Sequence, residues 1–121
     1  MPTTPAQLLS GLRIAVGVGA LAVPNTTGKL FGMDTAANPQ ASYMARLFGI
    51  RDIVLAIGTG ATAGPAKKTW WKLGILTDAT DVVSAALGAR DGSLTRTTAV
   101  LGGLTAAGAV ALGVAALAAE E

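Results

Sequence analysis

The chain has 121 residues, enough for one domain; 51% are hydrophobic, only 13% are charged, and the net charge is +2. A charged share near half the globular norm of roughly 25% implies that much of the surface faces something other than water, and so weak and dispersed a positive charge leaves no nucleic-acid partner to expect. The absence of Cys and His excludes disulfides, thiolate metal sites and redox pairs, and removes the commonest acid–base group near neutral pH.

The first apolar segment spans roughly residues 6–23. Its "LRIAVGVGALAVP" core and the Ala20-Leu21-Ala22 triplet have the form of a secretory signal, but no Lys or Arg precedes Arg13. The expectation is a retained first helix. Its "GVGA" is no dinucleotide fingerprint, because no strand precedes it and no βαβ unit follows. Pro24-Asn25 and the stretch to Pro39 read as a polar, turn-rich loop. Asn25-Thr26-Thr27 within it matches a glycosylation acceptor pattern, which has meaning only in a host that uses it.

The second segment covers roughly 41–64, ends at Gly64-Pro65 and is followed by "AKKT", read as a short basic loop. The third covers roughly 70–89 and the fourth roughly 95–118, with "RDGS" as the turn between them. Each is 18–24 residues long, the length needed to cross about 30 Å of hydrocarbon as a helix. The 16 glycines fit membrane helices, where they let backbones approach closely. A soluble Ala-rich bundle would need a charged face on every helix, and 21 uncharged residues from Ala99 to Ala119 fail that test. The expected fold is therefore all-α: one four-span transmembrane helical domain over 1–121, an up-down four-helix bundle in the cell membrane. Lys67, Lys68 and Lys72 place the second connection, and with it both termini, in the cytoplasm by the positive-inside rule. Trp70 and Trp71 beside them read as interfacial aromatics, and Glu120-Glu121 as a solvated tail.

Six charges interrupt these spans: Arg13, Arg46, Arg51, Asp52, Asp78 and Asp81. All but Arg46 lie within about two residues of a segment midpoint, hence within roughly 3 Å of one depth; Arg46 lies about 9–10 Å nearer the outside. Each costs about 2.5–3.5 kcal/mol at a helix centre, so such groups must pair or line a wet cavity. At 100° per residue, Asp78 and Asp81 share a face with Gly74, Thr77, Ser84 and Gly88. Gln7, Ser10, Arg13, Gly17 and Ala20 form a second small-and-polar stripe. Ser42, Ala45, Arg46, Gly49, Asp52, Ala56, Thr59 and Gly60 form a third, and Thr95, Thr98, Gly102, Thr105, Ala109 and Gly113 a fourth. Leu, Ile and Val face lipid. Arg51 projects about 100° from Asp52, toward a partner subunit, a distorted turn near Gly49, or Asp78 or Asp81 of a neighbouring helix.

"ARLFGIRDIVLAIG" followed by "GILTDATDVVSAALGARDG" resembles small four-span bacterial and fungal membrane proteins that form a domain family of unknown function. The resemblance runs from Leu12 to about Thr105 and is most specific at Arg46, Phe48-Gly49, Arg51-Asp52 and Asp78/Asp81. It implies the span count and the choice of residues, and no reaction.

The function expected from these residues is a charged midplane pocket that binds an apolar or amphiphilic, lipid-like small molecule. Paired carboxylates beside arginines suit acid–base chemistry, since one acid of a close pair holds its proton. A cofactor-free isomerase, cyclase or epoxide-opening enzyme would use Asp78 and Asp81 as the acid–base pair, assisted by Asp52. Arg13, Arg46 and Arg51, with Thr77 and Ser84, would hold polar groups of the ligand. The alternatives are an accessory subunit whose salt bridges fix helix register, and a proton- or ion-coupled transporter, which at four spans per chain would need a homo-oligomer. Asp34, Asp91 and Glu120 are too scattered to suggest a metal site.

Overall fold

Proline in the first helical turn, where its missing N–H has no intrahelical acceptor to lose, opens three of the helices. The computed structural model describes residues 2–120 and contains, among them, five α-helices and no strand. They are α1 (Pro5–Ala22), α2 (Pro24–Leu30), α3 (Ala41–Ala61), α4 (Gly64–Asp91) and α5 (Arg96–Ala119). Thr4 and Gln7 close a capping box at the start of α1, Thr95 caps α5 through the Thr98 N–H, and Gly92, at φ 81°, ends α4 in the left-handed conformation that glycine adopts without strain.

Two connections differ from the sequence reading. The stretch after Pro24 is not all loop: Pro24 fixes φ for a helical start, and α2 runs to Leu30. Gly64-Pro65 does not end a span but begins α4, so "AKKT" is its first turns and the connection shrinks to residues 62–63. The remaining loop, 31–40, is held by Asp34, whose Oδ1 accepts from the Ala37 N–H (3.1 Å) and whose carbonyl accepts from Asn38 Nδ2 (2.9 Å).

The four long helices form a ring. α1 packs on α3 and α4 on α5, while α1 with α5 and α3 with α4 close it; α1 and α4 face each other across a diagonal. The α1–α3 contact is backbone against backbone: a Cβ on Gly49 would lie 2.6 Å from the Gly17 carbonyl oxygen. At the end holding the 62–63 connection, Leu9, Trp71, Ala109 and Ala116 make a dense core. Trp71 is thus a core residue, not an interfacial one; only 2% of it is exposed. Trp70 packs its ring over Gly58, where a Cβ could not fit. Glu120 is also not simply solvated, since it reaches Lys67 at 4.0 Å.

Two helices, α1 and α5, are long and apolar enough to cross a membrane. Every 18-residue stretch of α3 and α4 carries three or more charged residues. Each of the four long helices exposes large apolar residues: Ile14 and Val18 of α1, Ile50 and Ile57 of α3, Leu76 and Val83 of α4, and Val100 and Leu104 of α5.

Candidate functional site

Helical spacing on α1 buries Leu9, Arg13, Gly17 and Ala20 along one stripe, which aims Arg13 at the centre of the ring. Its side chain crosses the diagonal to α4. There Nη2 donates to Asp78 Oδ2 at 2.6 Å and Nη1 to Asp78 Oδ1 at 3.3 Å, a bidentate pair. Gly74, one turn before Asp78, makes room, because a Cβ there would stand 2.8 Å from Nη2. Asp52 of α3 lies on the other side of the guanidinium, with Oδ1 3.7 Å from Nη1. It accepts no hydrogen bond among the described residues, although it is only 6% exposed. Arg13 and Asp78 are buried equally deeply, and Arg13 Nε has no partner.

A second bidentate pair ties α3 to α4. Arg51 Nη1 and Nη2 donate to Asp81 Oδ1 and Oδ2 at 3.0 and 2.6 Å. The Arg51 guanidinium also lies over the Phe48 ring, 4.6 Å from its centroid, which fixes it on a second side. This pair is half-buried, with side-chain exposures of 36% and 26%. Of the three kinds of partner open to Arg51, the structure supplies the one on the adjacent helix of the same chain.

Five of the eight residues singled out from the sequence therefore meet in two ion-paired groups: Arg13, Asp52 and Asp78 in one, Arg51 and Asp81 in the other. The remaining three do not join them. Arg46 is exposed and makes no ion pair or hydrogen bond among the described residues. The stripe through Arg46, Gly49 and Asp52 is about 140° wide from Arg46 to Thr59, and only Gly49, Asp52, Ala56 and Thr59 of it are buried. Thr77 turns its hydroxyl back to the Leu73 carbonyl (2.8 Å), and the buried line of α4 runs instead through Trp71, Gly74, Asp78, Ala85 and Gly88. Ser84 is exposed and sits at the rim of the cavity described next. Asp78 and Asp81 do not meet as a pair of acids; each carboxylate is engaged by its own arginine.

A cavity of about 970 Å³ opens from this charged floor toward α2 and the 31–40 loop. Leu12, Val16, Phe48, Leu94 and Ala106 give it apolar walls, and Arg13, Asp52, Asp78 and Asp81 line its floor. The roof, made by Phe31, Met33, Asp34 and Asn38 from the connection after α1, lies outside the residues that the sequence pattern singles out. Phe31 and Met33, two large apolar residues inside an otherwise polar stretch, were the available signal. Gly32, in that roof, has φ 81° and lies against Thr97 and Thr98, docking the loop on the start of α5. No three acidic side chains among the described residues converge on a metal-sized site. Compared with family models, with curated proteins and with solved structures, the chain matches none of them.

Proposed function

We propose that this protein is a four-span membrane bundle whose central cavity binds an apolar or amphiphilic small molecule over a charged midplane floor. The observation that carries the reading is the cavity itself: about 970 Å³, walled by apolar side chains and floored by Arg13, Asp52, Asp78 and Asp81. That volume is of the order of small-molecule sites, which run to about 1,000 Å³. A network built only to fix register would be dry and filled.

The membrane placement rests on where the apolar and charged groups lie. Only 22% of the apolar stretch is buried in α1, and likewise in α5, whereas the core helix of a water-soluble protein hides most of such a stretch. Large apolar residues are exposed on all four long helices, whereas soluble monomers rarely expose contiguous apolar patches larger than a few hundred Å². The charges nearest the centres of α3 and α4, Arg51, Asp52, Asp78 and Asp81, are the paired ones, and the others lie toward the helix ends. Arg46 stands about 7 Å inside the start of α3, a distance its side chain spans by snorkelling to the headgroups. Lys29, Arg46, Arg90 and Arg96 at one end balance Lys67, Lys68 and Lys72 at the other, so the positive-inside rule assigns no side to either end. The resemblance to small four-span proteins belongs to the same reading.

Within it, Asp52 is the carboxylate free to move a proton at a bound substrate, which extends the site to cofactor-free acid–base chemistry. The accessory-subunit reading draws on a specific observation too, the two complete bidentate pairs. One experiment separates them. Gly102 lines the cavity and has nothing within 4 Å of where a Cβ would stand, so Gly102→Leu fills the space without a clash at Cβ. Native mass spectrometry of the protein extracted from membranes should show a copurifying lipid-like molecule that this variant loses while its helicity persists. If the wild type carries no such molecule and takes up none from added lipid extract, the binding reading is wrong.

A further inference from the structure

The charges around the cavity do not balance. Two guanidiniums, Arg13 and Arg51, meet three carboxylates at the midplane, and each guanidinium is already engaged in a bidentate pair, with Asp78 and with Asp81. Asp52 is the carboxylate left over. Among the described residues its one cationic neighbour at ion-pair distance is Arg13 at 3.7 Å, beyond hydrogen-bond range, and that neighbour is bound more closely by Asp78 at 2.6 Å. It is nevertheless more than nine-tenths buried and lines the cavity. Asp34 adds a further acid to the same wall from the roof. The other cations, Lys29, Arg46, Lys67, Lys68, Lys72, Arg90 and Arg96, sit toward the two ends of the helices. None of them forms an ion pair with Asp52 among the described residues.

A buried carboxylate without a matching charge is strongly unfavourable, and a ligand that supplies the charge is held by relieving it. The apolar walls exclude a small hydrated cation as the best fit, because most of its surroundings could not coordinate it. We infer that the cavity takes a cationic amphiphile, a lipid-like amine, with Asp52 as the counter-ion of its head group and the walls around Val16, Phe48 and Ala106 holding its apolar body. This rests on the proposed binding cavity and adds the sign of the ligand's charge. The two arginines then serve as fixed partners of Asp78 and Asp81 and do not receive an anionic head group.

The test uses the full chain in nanodiscs of uncharged lipid, with three probes of equal chain length: dodecylamine, dodecanol and dodecanoate. Binding is measured at equilibrium, with empty nanodiscs subtracted. The amine should bind about tenfold or more tighter than the alcohol, and the carboxylate weakest of the three. Asp52→Asn should bring amine and alcohol to parity, whereas Asp91→Asn, at the exposed end of α4, should leave the preference intact. The wild-type comparison decides by itself, so a variant that failed to fold would not shelter the inference. Equal binding of amine and alcohol overturns the charge assignment while the cavity reading stands. Preference for the carboxylate also overturns it and gives the head group to the arginines. Binding of no probe overturns both.

Discussion

The two arginine–aspartate pairs have nearly the same geometry and different surroundings. Arg13 with Asp78 and Arg51 with Asp81 are both bidentate, each with a shortest contact of 2.6 Å. The first lies at the centre of the ring, with side chains 4% and 5% exposed, and has a spare carboxylate beside it. The second lies between α3 and α4, with side chains 36% and 26% exposed, and is electrically complete. Pair geometry thus says little about what a pair is for. What surrounds it, and whether the local charges cancel, separates a site with unused chemistry from a clasp.

The largest effect should come from breaking the inner group. Arg13→Gln leaves Asp52 and Asp78 buried with no cation between them, and should destabilise the fold by about 3–5 kcal/mol, read from unfolding in SDS or by heat. A loss below about 1 kcal/mol would mean that water reaches the site freely and that the two pairs do not differ as described. Next comes the outer clasp, which reports the solvent. In water a half-exposed pair contributes about 0–1 kcal/mol. At the depth of a bilayer midplane, an orphaned charge costs about 2.5–3.5 kcal/mol. Arg51→Gln should show the larger value in lipid, and Arg51→Gln with Asp81→Asn should recover most of it. A cost in the aqueous range would overturn the proposal that α3 and α4 span a membrane.

The backbone contact between α1 and α3 sets the position of both groups. Gly49→Ala places a methyl group 2.6 Å from the Gly17 carbonyl oxygen, and overpacking of this kind costs about 1–3 kcal/mol. Because it pushes α1 away, it should also loosen Arg13 from Asp52. Asp52→Asn should have the smallest effect on stability, unchanged or raised by up to about 1 kcal/mol, since it removes an uncompensated charge and no hydrogen bond. A loss like that of Arg13→Gln would show Asp52 to be a structural partner of Arg13, and the inner and outer groups would then be two clasps.

Depth was legible in the sequence because it is one-dimensional. Counting residues along each apolar segment put Arg13, Arg51, Asp52, Asp78 and Asp81 at one level, and the structure joins all five into two ion-paired groups. Azimuth was legible only in part. Arg51 and Asp52 point about 100° apart, which made Arg51 a misfit on a helix imagined with one inner face. A helix at the corner of a four-membered ring has two neighbours, however, and α3 turns Asp52 toward α1 and Arg51 toward α4. The same width of face misplaced Arg46, which lies at the outer edge of a stripe too broad to be buried throughout.

The sequence by itself determined the all-α class, the four long apolar segments to within about three residues except at the start of α4, which begins six residues earlier than expected, and the common level of the charges, while α2 was not legible. Periodicity and the rise of about 1.5 Å per residue are local properties, so no knowledge of neighbours is needed to read them. Only the tertiary structure decided which arginine holds which aspartate, that Trp71 is core, that the connection after α1 roofs a cavity, and that Asp52 has no arginine of its own, only Arg13 at 3.7 Å, which Asp78 holds more closely. Those outcomes depend on how closely α1 and α3 approach at Gly17 and Gly49 and on which helices face each other across the ring. Both are set by contacts between residues distant in the chain, which no local pattern encodes.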